Sequence, residues 1–269
     1  MNEPGSKLGH ESNDVDEATF LSNYRHRDYP RPSVTVDLVI FTVVDADLKV
    51  LLIKRLGHPS KGKWALPGGF LEVGDAVKDQ GESIEKSAIR ELSEECFGDP
   101  EGSSETAERL LKDRRIHLEQ LYTFGAPYRD PRCRVLTVAH YALVPPDIVP
   151  LVKAGSDAEE VRWFSVAHEL DWERLAFDHS VILEKGVERV RGKIDYSNIA
   201  FSLLQPTFSI SELRSVHEAI KGEVYDPGNF RRRFKRMQTD GIIESAPGKR
   251  VTSTKPAKVY RFVGAGYVE

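Results

Sequence analysis

The sequence predicts two domains of different class, an α/β domain followed by a smaller domain of three helices and a basic two-stranded hairpin. In residues 31–175, apolar β-branched runs surround a helical stretch, which is typical of an α/β fold. Residues 196–265 instead combine helical spacings, helix caps and a concentration of positive charge. A chain of 269 residues with 40% hydrophobic content is long enough to give each domain its own core.

The elements of the first domain follow in chain order. Residues 34–44 are apolar and β-branched, interrupted at Asp37, and residues 48–54 repeat the pattern after a turn, so we expect a hairpin of core strands. A loop at 59–69 leads to a helix at 83–96, for which Ser83 is a suitable cap. The remaining predicted elements are a short helix at 106–112, strands at 118–124 and 134–144, and an apolar strand ending at 164.

The composition excludes several classes of protein. The two cysteines, Cys96 and Cys133, imply no disulfide framework and favour a reducing compartment. The first residues are polar and acidic, with neither a positively charged leader nor an apolar run. We therefore expect no signal peptide, no membrane partner and a cytoplasmic location, with residues 1–30 forming a disordered polar arm.

Three carboxylates share one stripe of the predicted helix at 83–96. At about 100° per residue, Glu91, Glu94 and Glu95 lie within one turn, beside an apolar sector that would be buried. Like charges so spaced repel each other, and a divalent cation with oxygen ligands would offset this repulsion. Taken alone, the cluster is also compatible with a solvated charged face.

Three segments around this helix form a signature. They are Trp-Ala-Leu-Pro-Gly-Gly-Phe at 64–70, Gly-Glu-Ser at 81–83 and Arg-Glu-Leu-Ser-Glu-Glu at 90–95. Together they resemble the signature of Nudix hydrolases, which cleave nucleoside diphosphates linked to another group. The resemblance implies a Nudix α/β/α sandwich with a mixed sheet.

The same resemblance implies roles for individual residues. Glu91, Glu94 and Glu95 would hold Mg²⁺ (or Mn²⁺), together with Gly69, which a short strand delivers to the metal. Glu94 is then a catalytic residue as water attacks one phosphorus, and Arg90 positions the carboxylates by ion pairing.

The signature departs from the family pattern at two places. Twelve residues separate Gly69 from Glu82, more than in the family, so we expect residues 73–80 to be an inserted loop. The glycine expected after the acidic pair is delayed by one residue to Gly98, which shifts the end of the helix. Neither departure removes a carboxylate.

The loop between the two later strands is rich in arginine for a turn. Arg129 and Arg132 either belong to a solvated hairpin tip or hold ligand phosphates bidentately, and we select them as substrate-binding residues. A second candidate feature is the acidic pair Glu159 and Glu160. In ADP-ribose-cleaving Nudix enzymes a glutamate in this region serves as general base or extra ligand, and we select Glu160. The alternative is a capped loop of acidic residues.

A second resemblance extends over residues 33–262. Glu-Gln-Leu-Tyr-Thr-Phe-Gly at 119–125, followed by Arg-Asp-Pro-Arg at 129–132, resembles the Nudix-related transcriptional regulators (NrtR), repressors of NAD metabolism that sense ADP-ribose. Residues 175–179 and 196–204 fit the same family. The resemblance implies three partners, an ADP-ribose-like nucleotide, double-stranded DNA and a second copy of the chain in a homodimer.

The second domain is predicted as a connector helix at 176–195 and a winged helix-turn-helix at 196–265. Its first helix, at 198–204, ends before Pro206, and its second is capped by Ser209 or Ser211. The third begins with Asp226 as cap and Pro227 in the first helical position. Strands at 242–245 and 259–262, joined by a basic hairpin at 247–250, complete the fold.

The positive charge of the chain is concentrated in this domain. The whole chain has a net charge of −4, but residues 229–261 carry ten basic residues against Asp240 and Glu244, so this segment is +8 and the remainder −12. We select as DNA-binding residues Arg231, Arg232 and Lys235 of the third helix and Lys249 and Arg250 of the hairpin. The alternative is a basic helix that is merely solvated or binds its own acidic domain.

Two functions fit these features. The first is a Mg²⁺-dependent pyrophosphohydrolase of ADP-ribose or a related nucleoside diphosphate, coupled to DNA binding as an NrtR-like regulator. The second is a catalytically silent, ADP-ribose-sensing repressor of NAD or sugar metabolism. Regulators of this family often have eroded signatures, whereas this signature keeps all three carboxylates. We therefore favour the first, in which hydrolysis removes the signal.

Overall fold

The computed structural model describes two separate units, Met1–Pro32 and Ser33–Glu269. The described residues are 16–25, 28–74, 79–97, 105–113, 115–149, 158–251 and 256–264. No helix within these ranges is long and apolar enough to cross a membrane.

The first unit contains a short helix, α1 (Glu17–Asn23). The carboxylate of Asp16 caps it by accepting hydrogen bonds from the backbone N–H and the hydroxyl of Thr19. The ring of Tyr24 contacts Phe20 and stacks on Tyr29. The expected disordered arm therefore includes a capped helix at these residues, because the Asp16 cap and the neighbouring rings supply local contacts.

In the described part of the chain, the second unit is built on a seven-stranded mixed sheet. Its strands are β1 (Ser33–Val44), β2 (Asp47–Arg55), β3 (Trp64–Ala65), β4 (Gly68–Phe70), β5 (His117–Phe124), β6 (Val135–Leu143) and β7 (Ala158–Ser165). β1 runs parallel to β6 and antiparallel to β2, which confirms the predicted hairpin. β5 pairs with β6, β7 and β3 pair with β2, and β4 pairs with β1.

Helices cover both faces of this sheet. On one face, Leu38 and Ile40 of β1 share a buried cluster with residues of α2 (Ile84–Phe97) and α3 (Glu105–Lys112). On the other face, Val39 and Phe41 share a cluster with α4 (His179–Lys193). Apart from Asp37 and its Ser and Thr residues, β1 is apolar because both of its faces are buried. This arrangement is the predicted α/β/α sandwich.

The C-terminal region forms a winged helix. Its elements are a 3₁₀ helix (Ile199–Leu203), α5 (Ile210–Lys221), α6 (Pro227–Thr239), β8 (Ile243–Arg250) and β9 (Ala257–Phe262). Ser209 and Glu212 form a capping box at α5, and Asp226 caps α6 by accepting from the N–H of Asn229. The first predicted helix is a 3₁₀ turn because too few residues stand before Pro206 to extend it.

The turn of the basic hairpin lies later in the sequence than the predicted position at 247–250. Lys249 and Arg250 lie within β8, where they pair with Lys258 and Ala257 of β9. The strand continues through Pro247 because the register shifts between Ser245 and Lys249, and Gly248 adopts a φ of 98° that few other residues tolerate. The turn between the strands therefore follows residue 250, and residues 252–255 lie outside the described ranges.

One continuous apolar cluster joins the two halves of the second unit. It runs from Phe41 of β1 through Leu183 of α4 to Phe208, and on to Phe230 and Phe234 of α6. We expected a separate core for each domain, and this expectation was wrong. The 3₁₀ helix and Phe208 of the winged helix belong to the same cluster as residues of the sheet, so the two cores merge.

Glu119 of β5 anchors α4 to the sheet. Its carboxylate accepts hydrogen bonds from Lys193 Nζ at 2.7 and 2.8 Å, Arg189 Nη1 at 3.3 Å and the Tyr141 hydroxyl at 2.8 Å. His117 Nε2 lies 3.2 Å away. Burial disfavours its charge, but hydrogen bonds from His117, Lys193 and Tyr141 outweigh burial and lower the pKa of Glu119 to about 2.

We expect Glu119→Gln to lower the free energy of unfolding by about 1–3 kcal/mol at neutral pH, since these are hydrogen bonds to a charged group. A carboxylate with a depressed pKa stabilises the fold fully above its unfolded pKa of 4.5, and the stabilisation is lost as the pH falls towards about 2. Urea denaturation should therefore show a gap between parent and variant that is largest near neutral pH and shrinks at about pH 3. Glu188→Gln, an exposed site on α4, is the control. A gap of constant size would contradict the role of Glu119.

Candidate active site

A cleft of about 330 Å³ lies between β4, one side of α2 and the loop before β6. It is lined largely by charged side chains. The predicted site residues that line it are Gly69, Arg90, Glu91, Glu94, Arg129 and Arg132. The fold thus brings together the signature helix and the arginine loop, which are separated by more than thirty positions in the sequence.

Arg90 holds the acidic side of α2 together. Its Nη1 donates to Glu91 Oε1 at 2.8 Å and to Glu94 Oε2 at 3.2 Å. Its Nη2 and Nε donate to Glu82 at 2.8 and 3.2 Å, and Nη2 also donates to the carbonyl of Phe70 at 3.2 Å. The hydrogen bonds to Glu82 raise the pKa of Arg90 above its ordinary value. One permanent cation therefore positions three carboxylates that would otherwise repel each other.

The predicted insertion is closed at its base by Glu72 and Glu82. The N–H of Glu82 donates to the carbonyl of Glu72 at 3.1 Å, and the N–H of Glu72 donates to Glu82 Oε1 at 3.0 Å. Burial opposes the charge of Glu82, but the hydrogen bonds from Arg90 and Glu72 hold its pKa below the usual value. Residues 75–78 lie outside the described ranges. The insertion begins and ends at the hydrogen-bonded pair Glu72 and Glu82, so it does not displace Glu82 from Arg90.

Gly69 brings the backbone of β4 against the carboxylate of Glu91. A Cβ at this position would lie 2.2 Å from Glu91 Oε1, so any other residue here would clash with the carboxylate and displace it. β4 is fixed here because Gly69 pairs with Val36 of β1. Glu91 itself is 4% exposed. The glycine backbone and a buried carboxylate therefore share one small space in the cleft.

The oxygen donors of this space fit a small divalent cation. Glu91 and Glu94 supply carboxylates, the ligands that Mg²⁺ prefers, and the absent Cβ of Gly69 leaves room beside Glu91. The third predicted ligand, Glu95, has a side chain outside the described part of the structure. Within that part, no three His, Cys, Asp or Glu side chains group closely enough to form a complete metal site.

A second charged group in the cleft is centred on Arg129. Its Nε and Nη2 donate to Asp178 at 2.9 and 2.7 Å, and Nη2 also donates to Asp37 at 3.4 Å. Its side chain is 5% exposed. Burial opposes the charge, but the bonds to Asp178 and the charge of Asp37 raise the pKa of Arg129. A ligand phosphate at the predicted position would have to compete with Asp178 for this guanidinium.

His179 lies directly behind this group. Its Nδ1 accepts a hydrogen bond from the N–H of Leu66 at 2.8 Å, and its Nε2 lies 3.8 Å from Asp37 Oδ1. Complete burial lowers the pKa of His179, so the ring is neutral and carries its proton on Nε2, facing Asp37. His179 thus joins the loop before β4 to the start of α4, as a packing and hydrogen-bonding histidine.

Arg132 is the more accessible of the two predicted substrate-binding arginines. Its side chain is 44% exposed, lies 5.2 Å from the ring centre of Phe70 and donates to both oxygens of Asp130. The hydrogen bonds from Arg132 hold the pKa of Asp130 below its usual value. Asp130 is buried, so its carboxylate keeps Arg132 in place, and a phosphate would meet the solvent-exposed part of this guanidinium.

The structure does not bring Glu160 to the cleft. Glu159 and Glu160 are exposed on β7, where Glu160 pairs with Lys54 of β2 and Glu159 forms an ion pair with Lys54 at 3.2 Å. Neither acid lines the cleft. The reason is the pairing of β7 with β2, which fixes these side chains on a different part of the sheet.

The candidate DNA-binding helix presents its cations to solvent. In α6, Phe230 and Phe234 are buried, whereas Arg231, Arg232 and Lys235 are exposed. The helix is therefore amphipathic, with an apolar side on the core and a basic side outside. Arginine and lysine on such a side can contact the phosphates of a DNA groove.

The two predicted cations of the wing differ in their contacts. Lys249 is exposed on β8. Arg250 lies with its Nε 3.1 Å from Glu212 Oε1 and donates to the carbonyl of Thr207, so it ties β8 to the start of α5. Lys249 is consequently the better placed of the two for contact with DNA.

Residue patterns gave only weak signals for the acids around Arg129. Asp37 interrupts an otherwise apolar strand, which is the expected mark of a functional polar residue in a buried element. Asp178 immediately precedes a helix, where an aspartate is normally expected to be the N-cap. Their meeting at Arg129 depends on contacts between positions 37, 129 and 178, which no local pattern contains.

Two family models match the chain. The NUDIX domain matches residues 34–184, more than half of the chain, and the NrtR DNA-binding winged helix domain matches residues 200–262. The chain belongs to the Nudix family. Its C-terminal part is the winged helix domain that NrtR regulators carry, which confirms both resemblances seen in the sequence.

Relatives of this Nudix protein include regulators and a hydrolase. The ADPR responsive transcriptional repressor NtrR of Acinetobacter baylyi is 32% identical over 251 residues, which cover 93% of this chain and 90% of the relative. The crystal structure of Shewanella oneidensis NrtR complexed with a 27mer DNA is 31% identical with a TM-score of 0.65, covering 86% of this chain and 93% of that one. An ADP-ribose pyrophosphatase of Methanocaldococcus jannaschii is 34% identical over 160 residues, 60% of this chain and 76% of the relative.

Proposed function

We propose that this Nudix protein is an ADP-ribose-responsive, DNA-binding regulator that also cleaves ADP-ribose or a related nucleoside diphosphate. The observation that carries the proposal is the cleft, where Arg90 holds Glu82, Glu91 and Glu94 in place beside Arg129 and Arg132. A sensor would need phosphate-binding groups but not an ordered set of carboxylates. The likeness to a repressor over the whole chain and to a pyrophosphatase over the Nudix part supports both halves of the proposal.

In this proposal the chain binds and orients the diphosphate. Mg²⁺ (or Mn²⁺) held by Glu91, Glu94, Glu95 and the backbone of Gly69 would neutralise charge that develops on the diphosphate oxygens. Arg132 contacts a phosphate from the accessible side of the cleft. Arg90 holds its carboxylates in place through hydrogen bonds and ion pairs, which is a positioning role. Glu94, more accessible than Glu91, faces the reacting water and is the catalytic carboxylate.

A catalytically silent sensor is the second candidate. It is favoured by the position of Glu160, which the resemblance to ADP-ribose-cleaving Nudix enzymes suggested as general base or extra ligand and which does not line the cleft. It is also favoured by the repressor among the relatives. In this alternative the carboxylates hold a metal that helps to bind the nucleotide without supporting turnover.

The proposed DNA partner is double-stranded and is met in the cytoplasm. Arg231, Arg232 and Lys235 of α6 contact phosphates and bases in a groove, and Lys249 follows the backbone from the wing. Arg250 contributes mainly by holding the wing against α5. We propose that two copies bind together, because winged helices commonly read palindromic sites as homodimers.

Two assays on the purified chain test the proposal. Chromatography measures release of AMP from ADP-ribose with Mg²⁺ and with chelator, and electrophoretic mobility shift measures binding to the DNA upstream of the chain's own gene, with and without ADP-ribose. We expect metal-dependent AMP release and a shift whose midpoint changes with the nucleotide. A nucleotide-sensitive shift without AMP release supports the sensor instead. Absence of any shift at moderate salt overturns the regulatory half of the proposal.

A further inference from the structure

α4 connects the cleft directly to the candidate DNA-binding helix. It begins after Asp178, which contacts Arg129 in the cleft, and continues to Ile194 and Asp195, which contact α6. Fifteen residues at a rise of about 1.5 Å give a length of about 22 Å. A single helix therefore spans the distance between the two predicted binding sites.

At the first end, Asp178 is in the N-cap position but does not cap the helix. Aspartate in this position ordinarily accepts a hydrogen bond from an N–H of the first turn. Here the side chain makes no such bond, because both of its oxygens accept from Arg129 instead. Asp178 thus has two alternative partners, the guanidinium in the cleft and the N–H of Ser180 in the first turn of α4, since the N–H groups of His179 and Val181 donate to the carbonyls of Ala176 and Asp178.

At the far end, Arg233 of α6 holds the last residues of the helix. Its Nη2 donates to the carbonyls of Asp195 and Ile194 at 3.1 and 3.4 Å, and its Nη1 lies 3.4 Å from Asp195 Oδ1. Lys221 of α5 pairs with the same carboxylate at 2.6 Å. Helix-end carbonyls need such partners, so the position of α6 depends on where α4 ends.

Between its ends, α4 packs closely enough to move as one body. Ile182 and Val190 are fully buried against the sheet. At Gly186 a Cβ would lie 3.0 Å from Val39 and 3.4 Å from Phe41, so the helix backbone lies almost on β1. A change at the first turn is therefore carried along the helix, since a packed helix shifts or turns as a unit more easily than it bends.

We propose that Asp178 is a ligand-operated switch, which a bound diphosphate moves from Arg129 to the N-terminus of α4, and that α4 passes this change to α6 through Asp195. The inference rests on the proposed function, because it requires a nucleotide diphosphate in the cleft and DNA on α6. A phosphate that binds Arg129 frees the Asp178 carboxylate, which then accepts from the N–H of Ser180 in the first turn of the helix. The resulting shift of the far end moves Arg233, and with it the basic side of α6.

Two variants test the two ends of this connection separately. Asparagine caps helices as well as aspartate does, but it forms no ion pair with arginine. In the absence of nucleotide, Asp178→Asn should therefore bind DNA with the affinity of the nucleotide-bound parent, and it should bind the nucleotide more tightly than the parent. Asp195→Asn lies away from the cleft and should keep the parent's nucleotide affinity while losing the effect of nucleotide on DNA binding.

The experiment measures DNA affinity by fluorescence anisotropy with and without the α,β-methylene analogue of ADP-ribose, which avoids turnover, and measures analogue affinity by calorimetry. The parent should show a coupling of about 5–150-fold, and by reciprocity DNA should change analogue affinity by the same factor. In Asp195→Asn the ratio should approach one. Asp240→Asn removes an equivalent exposed charge at the end of α6 without touching α4, and should keep the parent's ratio.

The outcomes distinguish failure of this inference from failure of the proposed function on which it rests. A parent that binds DNA and analogue without coupling them overturns the proposed regulation itself. A parent that couples them, with Asp178→Asn and Asp195→Asn coupling equally well, overturns only the switch. Circular dichroism and thermal melting establish that each variant is folded, and if one is not, the other decides the result.

Discussion

Replacing Glu94 by glutamine is expected to lower kcat for ADP-ribose by about 10²–10⁴-fold and to leave nucleotide affinity within about threefold. The side chain keeps its shape and its reach towards Arg90 Nη1, which now lies 3.2 Å from Glu94 Oε2. What is lost is a negative charge on the reacting side of the cleft. Steady-state release of AMP gives kcat, and calorimetry with the α,β-methylene analogue gives the affinity.

The matched control for this variant is Glu85→Gln. Glu85 lies in the first turn of the same helix, is exposed and does not line the cleft. It should retain the parent's kcat, since the same change of charge on α2 is made away from the reaction. Full turnover by Glu94→Gln would refute the assignment of Glu94, and inactivity of the parent itself would favour the sensor.

Substituting Arg231 and Arg232 together with alanine should weaken DNA binding by on the order of 10–100-fold at moderate salt. Both side chains are exposed on α6, so their loss removes charge without opening the core beneath Phe230 and Phe234. Each lost phosphate contact also lowers the slope of log affinity against log salt by about one. A salt titration of DNA affinity by anisotropy measures both quantities.

Arg174→Ala serves as the control for the loss of positive charge. Arg174 is 86% exposed and lies in a short 3₁₀ turn, Trp172–Arg174, before α4 begins. Its removal should leave both affinity and salt slope unchanged, because it is outside the winged helix. If the double variant also retains the parent's slope, α6 does not contact phosphates through these residues.

Most secondary structure was predictable because each element carries a local signal. β1 is largely apolar, which follows from burial on both faces, and α6 begins at an aspartate followed by a proline. The carboxylates of α2 were predictable for the same reason, since their common stripe is a property of helix geometry alone. Arg90 could be assigned a positioning role because it stands one and four residues before Glu91 and Glu94.

What sequence patterns could not supply were contacts between distant segments. The bidentate pair of Arg129 with Asp178 joins residues forty-nine positions apart, and it changes Arg129 from an open phosphate site into an occupied one. The position of Glu160 depended on which strand β7 would pair with, and its partner β2 is about a hundred residues earlier. The turn of the wing was misplaced because a proline and a glycine usually end a strand, whereas here a register shift accommodates both.

The parallel pairing of β1 with β6 has a consequence for how the cleft comes into being. The register joins Ser33 to Val135 and Phe41 to Leu143, so a chain of about one hundred residues must close on itself before the central pair can form. Closing so long a loop lowers the entropy of the chain before the contacts between the two strands form, and this slows folding. Asp37 from the first of these strands and Arg129 just ahead of the second therefore come together late in folding. A newly synthesised chain cannot bind nucleotide in the cleft until its sheet is complete.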